Sequence, residues 1–273
     1  MFKWLLLFAG AYLFYLWIKG KKQIKSKEAS TPKPNSDKAS KVVEPEAMVL
    51  CQHCKVHLPK SEAIVHEQRF YCCSEHLDTL DERGWIGSAN WRLSPNQDVR
   101  PENISPDLVV IHHISLPPGE FKNKSASQYI IDFFQNKLDS NTHPYFAEIA
   151  GQKVSSHFLV TRSGELIQFV STQNKAWHAG VSSFMGREKC NDFSIGIELE
   201  GLDGESFEAA QYETLVSLCT ALGQHYPIRH IAGHEHIAPD RKKDPGKGFS
   251  WRFLQQSLGW PDRFFNACAQ SLR

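Results

Sequence analysis

The chain has 273 residues, of which 41% are hydrophobic, so it is long enough to bury a sizeable core. Its formal net charge is only +1, and this balance gives no indication of a nucleic-acid partner. Cys190, Cys219 and Cys268 are scattered, a pattern that fits a reducing compartment and not a disulfide framework.

Residues 1–18 predict a membrane anchor. From Phe2 to Ile18 they are apolar except for Lys3, and a run of lysines begins at Lys19. About 17 apolar residues is the lower limit for a membrane-spanning helix. By the positive-inside rule the lysines face the cytoplasm, so we expect an inner-membrane protein whose C-terminal domain lies in the cytoplasm. The alternative, a helix lying on the membrane surface, requires a strongly polar face that this segment lacks.

Residues 19–47 predict a disordered basic tether. They are rich in Lys, Ser, Pro and Glu and have no apolar period. The surplus of positive charge in the chain therefore lies next to the predicted anchor, and the rest of the chain is mildly acidic.

Residues 48–80 predict a small module held together by a structural zinc ion. Cys51-Gln-His-Cys54 is followed by a second group, Cys72-Cys-Ser-Glu-His76. Paired Cys and His ligands of this kind are typical of tetrahedral zinc sites, and so short a module needs a metal for stability. The predicted ligands are Cys51, Cys54, Cys73 and His76. Cys72 could replace Cys73, His53 and His57 are weaker options, and reduced cysteines in a small core remain an alternative.

Residues 85–273 predict a second domain of the α/β class, a mixed sheet flanked by helices. Apolar runs rich in β-branched residues predict strands near 108–114, 154–161, 165–170, 193–200 and 230–234. Apolar residues at helical spacing predict helices near 126–138, 208–225 and 250–257. Arg162-Ser-Gly-Glu165 predicts a tight hairpin between two of the strands.

The loop of residues 233–246 predicts a catalytic metal site. His234 and Asp244 can supply two ligands, and Lys242 places a cation near them. Proline and glycine restrict the conformation of the loop. His236 is a competing ligand if the segment is extended, and a polar surface loop is the alternative interpretation.

Two predicted strands carry further candidates. His112 and His113 are adjacent, and neighbouring side chains of a strand face opposite ways, so both cannot point into one pocket. The same alternation places Glu198 and Glu200 on one face of their strand. A carboxylate on an otherwise apolar strand lies at the surface or acts as a general base, and a nearby metal favours the second role.

Several blocks of this chain resemble the AmpD family of zinc-dependent 1,6-anhydro-N-acetylmuramoyl-L-alanine amidases. The resemblance extends in register from about Trp85 to about Asp262. The blocks that carry it are His112-His-Ile-Ser-Leu-Pro-Pro-Gly-Glu-Phe121, His143-Pro-Tyr-Phe-Ala-Glu-Ile149, Ala176-Trp-His-Ala-Gly180, Gly186-Arg-Glu-Lys-Cys-Asn-Asp-Phe-Ser-Ile-Gly-Ile-Glu-Leu-Glu-Gly201 and the loop of residues 233–246.

The resemblance implies a role for each matched residue. It implies that His112, His234 and Asp244 bind zinc, that Glu198 activates the attacking water and that Lys242 stabilises the oxyanion. The implied reaction is hydrolysis of the amide between the lactyl group of muramic acid and L-alanine. The implied substrate-binding residues are His113, Lys153, Trp177, His178 and Lys189.

Three of these positions depart from the family pattern. His113 stands where relatives carry Asn, and Lys153 and Lys189 stand where relatives carry Arg. Lysine keeps the charge of arginine but loses its bidentate geometry, so the preference for the peptide is expected to differ.

The expected function is therefore cleavage of anhydro-muropeptides in cytoplasmic peptidoglycan recycling. One alternative is an amidase that faces the periplasm and cuts intact peptidoglycan, which requires the opposite orientation of the anchor. The other is a module that binds muropeptides without cleaving them, as family members that lack ligands do.

Overall fold

The computed structural model describes residues 46–121 and 126–269. The predicted anchor at residues 1–18 and the predicted tether as far as residue 45 lie outside the described residues. From Glu46 onward the chain forms one compact unit. Among the described residues, no helix combines the length and the apolar character needed to cross a membrane.

The strands come in runs along the chain, and helices separate the runs. The strands are β1 (Met48–Leu50), β2 (His57–Pro59), β3 (Ile64–His66), β4 (Arg69–Tyr71), β5 (Asn90–Trp91), β6 (Gln97–Val99), β7 (Leu108–Ile114), β8 (Phe158–Val160), β9 (Leu166–Gln168), β10 (Asn174–Ala176), β11 (Ser183–Phe184), β12 (Arg187–Glu188), β13 (Ser194–Glu200) and β14 (His230–Gly233). The α-helices are α1 (Ser74–Asp78), α2 (Ala126–Phe134), α3 (Pro144–Ile149), α4 (Ala209–His225), α5 (His234–Ile237) and α6 (Trp251–Leu258). Short 3₁₀ helices lie at Lys60–Glu62, Cys190–Asp192 and Asp262–Cys268.

The central sheet is mixed, as the sequence predicted. Its strand order is β14-β7-β13-β8-β9-β5. The first four strands run parallel to one another, and β9 runs antiparallel to β8. Every residue of β13 is buried, as are the first five of β7. Because central parallel strands are covered on both faces, their sequences form almost continuous apolar runs, and both strands were predictable for that reason.

Helices cover both faces of the sheet. Leu215 of α4 and Trp251 of α6 belong to a buried cluster that includes Ile197 of β13. On the other face, Ile130 and Phe134 of α2 belong to a second buried cluster. Consecutive residues of β8 alternate between the clusters: Phe158 and Val160 join the first, and Leu159 joins the second. The core therefore forms two layers, one on each side of the sheet.

Several predicted elements are shorter in the structure. The helix predicted at residues 126–138 ends at Phe134, because Asn136 adopts a left-handed conformation with φ 57° that closes the helix. The strand predicted at residues 154–161 begins at Phe158, because the backbone N–H of Ser155 donates to the carbonyl of Trp177 outside the sheet. The predicted hairpin is confirmed: the N–H of Thr161 donates to the carbonyl of Glu165, and Gly164 has a φ of +84°.

The N-terminal module packs against the edge of the central sheet. It contains the hairpins β1–β2 and β3–β4 and the short helix α1. Arg69 Nη2 donates to the carbonyl of Ala89 at 2.7 Å, and the guanidinium of Arg69 lies 3.8 Å from the ring centre of Trp91 on β5. Leu80 and Ile86 belong to the core of the larger domain. No independent linker separates these two described parts of the chain.

Gly196 lies on β13 at a point where a side chain has no room. A Cβ atom built there would lie 2.5 Å from Cγ of His178. We therefore expect Gly196→Ala to lower the free energy of unfolding by about 1–3 kcal/mol, because overpacking shifts the backbone or the ring. Gly151→Ala is the matched control, since a Cβ atom there meets nothing within 4 Å. Equal denaturation midpoints for the two variants would show that the space beside Gly196 is not tight.

Candidate metal and catalytic site

The candidate site lies at the carboxyl ends of the parallel strands. His112 is on β7, Glu198 pairs with it on β13, and His234 directly follows β14. Ligand sites in parallel sheets commonly lie at this edge, where the connecting loops leave the strands. Strand pairing therefore brings together residues that are far apart in the sequence.

Three potential ligand atoms converge at this edge. The Nδ1 atoms of His112 and His234 are 3.0 Å apart. Asp244 Oδ2 lies 3.0 Å from His112 Nδ1 and 3.1 Å from His234 Nδ1. His112 and His234 are only 1% and 4% exposed, so the rings are shielded from water. The three atoms form a nearly equilateral triangle.

The contacts of the outer ring nitrogens indicate where the protons lie when both rings are neutral. His234 Nε2 lies 3.1 Å from the carbonyl oxygen of Ala179, which can only accept, so Nε2 carries a proton. In a neutral imidazole this leaves only a lone pair on Nδ1, facing the carboxylate of Asp244. Burial, aided by the neighbouring His234, lowers the pKa of His112 to about 4, so its ring is neutral at pH 7. Electron-rich atoms at this separation repel one another, and a metal ion between them removes the repulsion.

The donor set fits zinc. Two imidazole nitrogens and one carboxylate oxygen, with a fourth position open to water, are typical ligands of a catalytic zinc ion. Tetrahedral bonds of about 2.0–2.1 Å place ligand atoms roughly 3.3 Å apart. The separations of 3.0 and 3.1 Å found here are close to that geometry.

Glu198 places an unpaired carboxylate beside the metal-ligand cluster, which consists of His112, His234 and Asp244. It is 8% exposed, and its Oε2 atom has no hydrogen-bond partner among the described residues. Burial raises the pKa of this carboxyl well above its usual value, Asp244 raises it further, and Lys242 lowers it. An unpartnered carboxylate in a cavity is able to accept a proton from a bound water molecule.

The loop that carries Asp244 folds back over the start of α5. The N–H of Glu235 donates to the carbonyl of Asp244 at 2.9 Å. The N–H of Lys242 donates to the carbonyl of Ala238, and the side chain of Lys242 lines the same cavity as Glu198. The loop therefore presents the carboxylate and the ammonium to one space.

His236 does not approach the cluster. Residues His234–Ile237 form a helical turn, so the extended conformation that would align His236 with His234 is absent. His236 Nδ1 accepts from the N–H of Gly233 at 2.8 Å, and its ring packs against Trp251. The contacts of the His236 ring are therefore with Gly233 and Trp251.

The cluster opens into a cavity of ≈ 320 Å³. Its lining includes His112, His234, Asp244, Glu198 and Lys242, together with several apolar residues. The apolar part includes Leu116, Phe133, Phe134, Tyr145, Ile149, Val154 and Trp177. His113 also lines the cavity. Alternation along β7 predicted that the side chains of His112 and His113 face opposite ways, and both residues nevertheless line the cavity.

The other predicted substrate-binding residues lie in different places. Trp177 lines the cavity, and its Nε1 donates to Asp98 Oδ2 at 2.8 Å, which fixes the ring. Lys153 is exposed and is not part of the cavity wall. Lys189 is exposed in a turn with φ 59° and lines a separate groove beside Val181 and Arg241. The structure does not bring either lysine to the cluster.

His178 contacts protein atoms through both ring nitrogens. Its Nδ1 lies 2.9 Å from His112 Nε2, and its Nε2 lies 3.1 Å from Ser194 Oγ. His178 also lines the cavity, so its contact with a substrate stays a prediction, although neither ring nitrogen is free to bind one. Ser194 was not among the predicted site residues, although a serine at the start of a strongly apolar strand is a signal that could have identified it.

A second group of potential metal ligands lies in the N-terminal module. It consists of Cys51, Cys54, Cys72 and His76, whose ligand atoms all lie within 4.8 Å of one another. Cys72 Sγ is 3.0 Å from His76 Nδ1 and 3.8 Å from Cys54 Sγ. His53 stacks on His76 but does not belong to the group.

The structure groups Cys72, which was the alternative, and not Cys73 with the other three predicted ligands. Cys73 precedes α1 in an extended conformation, with φ −158° and ψ 165°. Cys73 Sγ lies 3.9 Å from Cys72 Sγ, but it does not belong to the group whose ligand atoms all lie within 4.8 Å of one another. The structure places Cys72 there.

Comparisons with known proteins identify relatives of the larger domain. Residues 102–247 match the family model described as N-acetylmuramoyl-L-alanine amidase. The chain is 50% identical over 174 residues to the 1,6-anhydro-N-acetylmuramyl-L-alanine amidase AmpD of Citrobacter freundii, a match that covers 63% of this chain and 90% of the relative. AmpD of Escherichia coli (strain K12) is 49% identical over 174 residues, which cover 63% of this chain and 93% of the relative. A crystal structure of a Se-Met AmpD derivative is 48% identical, with a TM-score of 0.62, and covers 66% of this chain and 98% of that one.

These comparisons correct the predicted location at the inner membrane. The matched region covers 63% of this chain. It covers 90% and 93% of the two AmpD relatives, so these relatives have little sequence outside that region. They offer no support for a membrane anchor or a membrane partner. The anchored location, which was inferred only from residues outside the described part of the chain, was wrong.

Proposed function

Because the chain belongs to the N-acetylmuramoyl-L-alanine amidase family, we propose that it hydrolyses the amide bond between 1,6-anhydro-N-acetylmuramic acid and the L-alanine of a muropeptide. This activity serves peptidoglycan recycling. The observation that carries the proposal is the convergence of His112, His234 and Asp244 beside the unpartnered carboxylate of Glu198. The names of the relatives, which are 1,6-anhydro-N-acetylmuramyl-L-alanine amidases, support this choice of substrate.

His112, His234 and Asp244 are the proposed zinc ligands. A zinc ion held by this donor set supplies a Lewis acid and lowers the pKa of water to about 7. Two of these ligands are positioned by buried strands, because His112 lies on β7 and His234 directly follows β14. All three residues line the cavity, so water in the cavity would have access to a zinc ion held by them.

Glu198 is the proposed general base and acid. It accepts the proton of the water that attacks the amide carbon, and it then passes a proton to the nitrogen of L-alanine as the carbon–nitrogen bond breaks. Burial, which raises the pKa of this carboxyl, favours a group that can hold a proton between the two steps. Its side chain shares the cavity with the metal ligands, so it can reach water bound there.

Lys242 and the cavity wall complete the proposed site. The ammonium of Lys242 stabilises the negative charge that develops on the amide oxygen. The apolar wall and the ring of Trp177, which Asp98 fixes, offer a surface for the sugar. His113, at the end of β7, is placed to contact polar groups of the substrate. Lys153 and Lys189 contact substrate only if it extends beyond the cavity.

The proposal predicts that Glu198→Ala lowers the rate of anhydro-muropeptide cleavage by roughly 10²–10⁴-fold, because the base is lost. The released peptide is measured by chromatography, and zinc content is measured in parallel. Glu213→Ala, which changes an exposed glutamate of α4, is the control and should retain the wild-type rate. Full activity in Glu198→Ala would exclude this mechanism.

The same assay discriminates between substrates. We expect rapid cleavage of anhydro-muropeptides and little release of peptide from intact, polymeric peptidoglycan. The reverse preference would favour a wall-cutting amidase. Muropeptide binding without any cleavage by the zinc-loaded chain would favour a binding module, which the complete set of ligands, base and cation argues against.

Lys242→Ala is expected to reduce kcat by about 10²–10³-fold, because the developing oxyanion loses its cation. Zinc content should remain unchanged. The neighbouring Lys243, which is exposed, provides a matched control. If Lys242→Ala and Lys243→Ala have the same kcat, Lys242 does not act on the transition state.

We propose a second, structural zinc site at Cys51, Cys54, Cys72 and His76. Three thiolates and one imidazole form a closed tetrahedral set without a position for water, which is typical of structural zinc. The small cluster of Cys51, Leu58 and Tyr71 beside it is too limited to stabilise the module by itself. The metal thus supports the packing of the module against the edge of the sheet.

The two adjacent cysteines provide a direct test of this site. Cys72→Ser is expected to reduce the zinc content by about one ion per chain and to lower the Tm, because a ligand is lost. Cys73→Ser, measured by the same metal analysis and thermal scan, should behave as the wild type. Loss of zinc in Cys73→Ser alone would contradict the assignment.

A further inference from the structure

We propose that Ser194 and His178 form a hydrogen-bond relay that selects the tautomer of His112 and turns its Nδ1 lone pair toward the metal position. The inference rests on the proposed zinc site and deepens it. Both residues act through His112, so they are positioning residues for the reaction.

The relay begins at the hydroxyl of Ser194, which can donate its proton only to the carbonyl of Cys190. Ser194 Oγ lies 2.6 Å from the carbonyl oxygen of Cys190 and 3.1 Å from His178 Nε2. Two oxygens at 2.6 Å need a proton between them, and a carbonyl has none to give. Ser194 therefore donates to Cys190, and its oxygen can only accept from His178.

The direction of this first bond determines the next two. His178 Nε2 must carry the proton that Ser194 Oγ accepts. In a neutral imidazole the other nitrogen, Nδ1, then presents a lone pair, and it lies 2.9 Å from His112 Nε2. His112 consequently donates through Nε2. Its Nδ1, which is 3.0 Å from Asp244 Oδ2, is left with a lone pair that faces the metal position.

The surrounding backbone prevents the relay from rearranging. Ser194 is fully buried at the start of β13. The ring of His178 packs directly on Gly196, where an added Cβ would lie 2.5 Å away. The N–H groups of His178 and Ala179 both donate to Asn191 Oδ1, at 3.2 and 2.8 Å. A rotated His178 ring would lose one or both of its partners inside a dry interior, which is costly.

The opposite tautomer of His112 would interfere with metal binding. Its Nδ1 would carry a proton directed at His234 and Asp244, and that proton would have to leave before a metal could bind. Hydrogen-bond partners of ligating histidines commonly change metal affinity by about 10–100-fold when they are removed. Ser194, which is two hydrogen bonds away from His112, should therefore influence affinity without contacting the metal.

The tautomers can be read from the imidazole nitrogen resonances of the metal-free, full-length chain by NMR. We expect His112 and His178 each to be protonated on Nε2 and bare on Nδ1. A proton on Nδ1 of His112 in the metal-free wild type would overturn the relay. This measurement needs neither a variant nor activity.

The second test measures the affinity of the amidase site for cobalt(II) in Ser194→Ala. Absorption separates this site from the cysteine site, because only thiolate ligands produce sulfur-to-metal charge-transfer bands. We expect the affinity to fall by about 10–100-fold. Ser156→Ala is the matched control, because Ser156 is fully buried but its Oγ has no partner among the described residues.

The outcomes separate the relay from the proposed function. If Ser194→Ala and Ser156→Ala bind cobalt(II) as the wild type does, the relay is wrong. If the wild type binds no metal at His112, His234 and Asp244, the proposed zinc site itself is wrong, whatever the tautomers are.

Discussion

The candidate site depends on three polar atoms that are held about 3 Å apart at the carboxyl ends of the parallel strands of the central sheet. His112 Nδ1, His234 Nδ1 and Asp244 Oδ2 repel one another unless a cation lies between them. The buried strands β7 and β14 and the folded-back loop of residues 238–246 hold them in this arrangement. The burial of apolar residues on both faces of the sheet offsets the cost of holding these polar atoms close together.

A second polar network, formed by the side chain of Arg100, fixes the backbone next to the site. Arg100 is 8% exposed and donates through Nη1 to the carbonyls of Asn191 and Asp192 and through Nη2 to the carbonyl of Ser194. These bonds fix the segment that enters β13, which also carries the carbonyl of Cys190 that accepts from Ser194. Buried polar groups that are fully paired specify one arrangement of a core. The orientation of His112 thus depends on contacts that continue well beyond the metal ligands.

The N-terminal module also contains a group of potential metal ligands, but this group is suited to structural support. Its sulfur-rich group lies in a small hydrophobic cluster, and its residues contact β5 at the edge of the central sheet. An uncovered edge strand tends to pair with other chains, and a packed module reduces that tendency. One chain therefore contains a closed donor set suited to structural support and an open one suited to catalysis.

The sequence by itself determined the central strands β7 and β13, helix α4 and the composition of the loop around His234 and Asp244. Their apolar periods and ligand types are local properties of the chain. The pattern at residues 1–18 led to a wrong location. Only the tertiary structure decided that Cys72 faces the cysteine group instead of Cys73, and that His178 contacts His112 and Ser194. These choices depend on backbone direction and strand pairing, which place residues distant in the sequence within hydrogen-bonding reach only after the chain has folded.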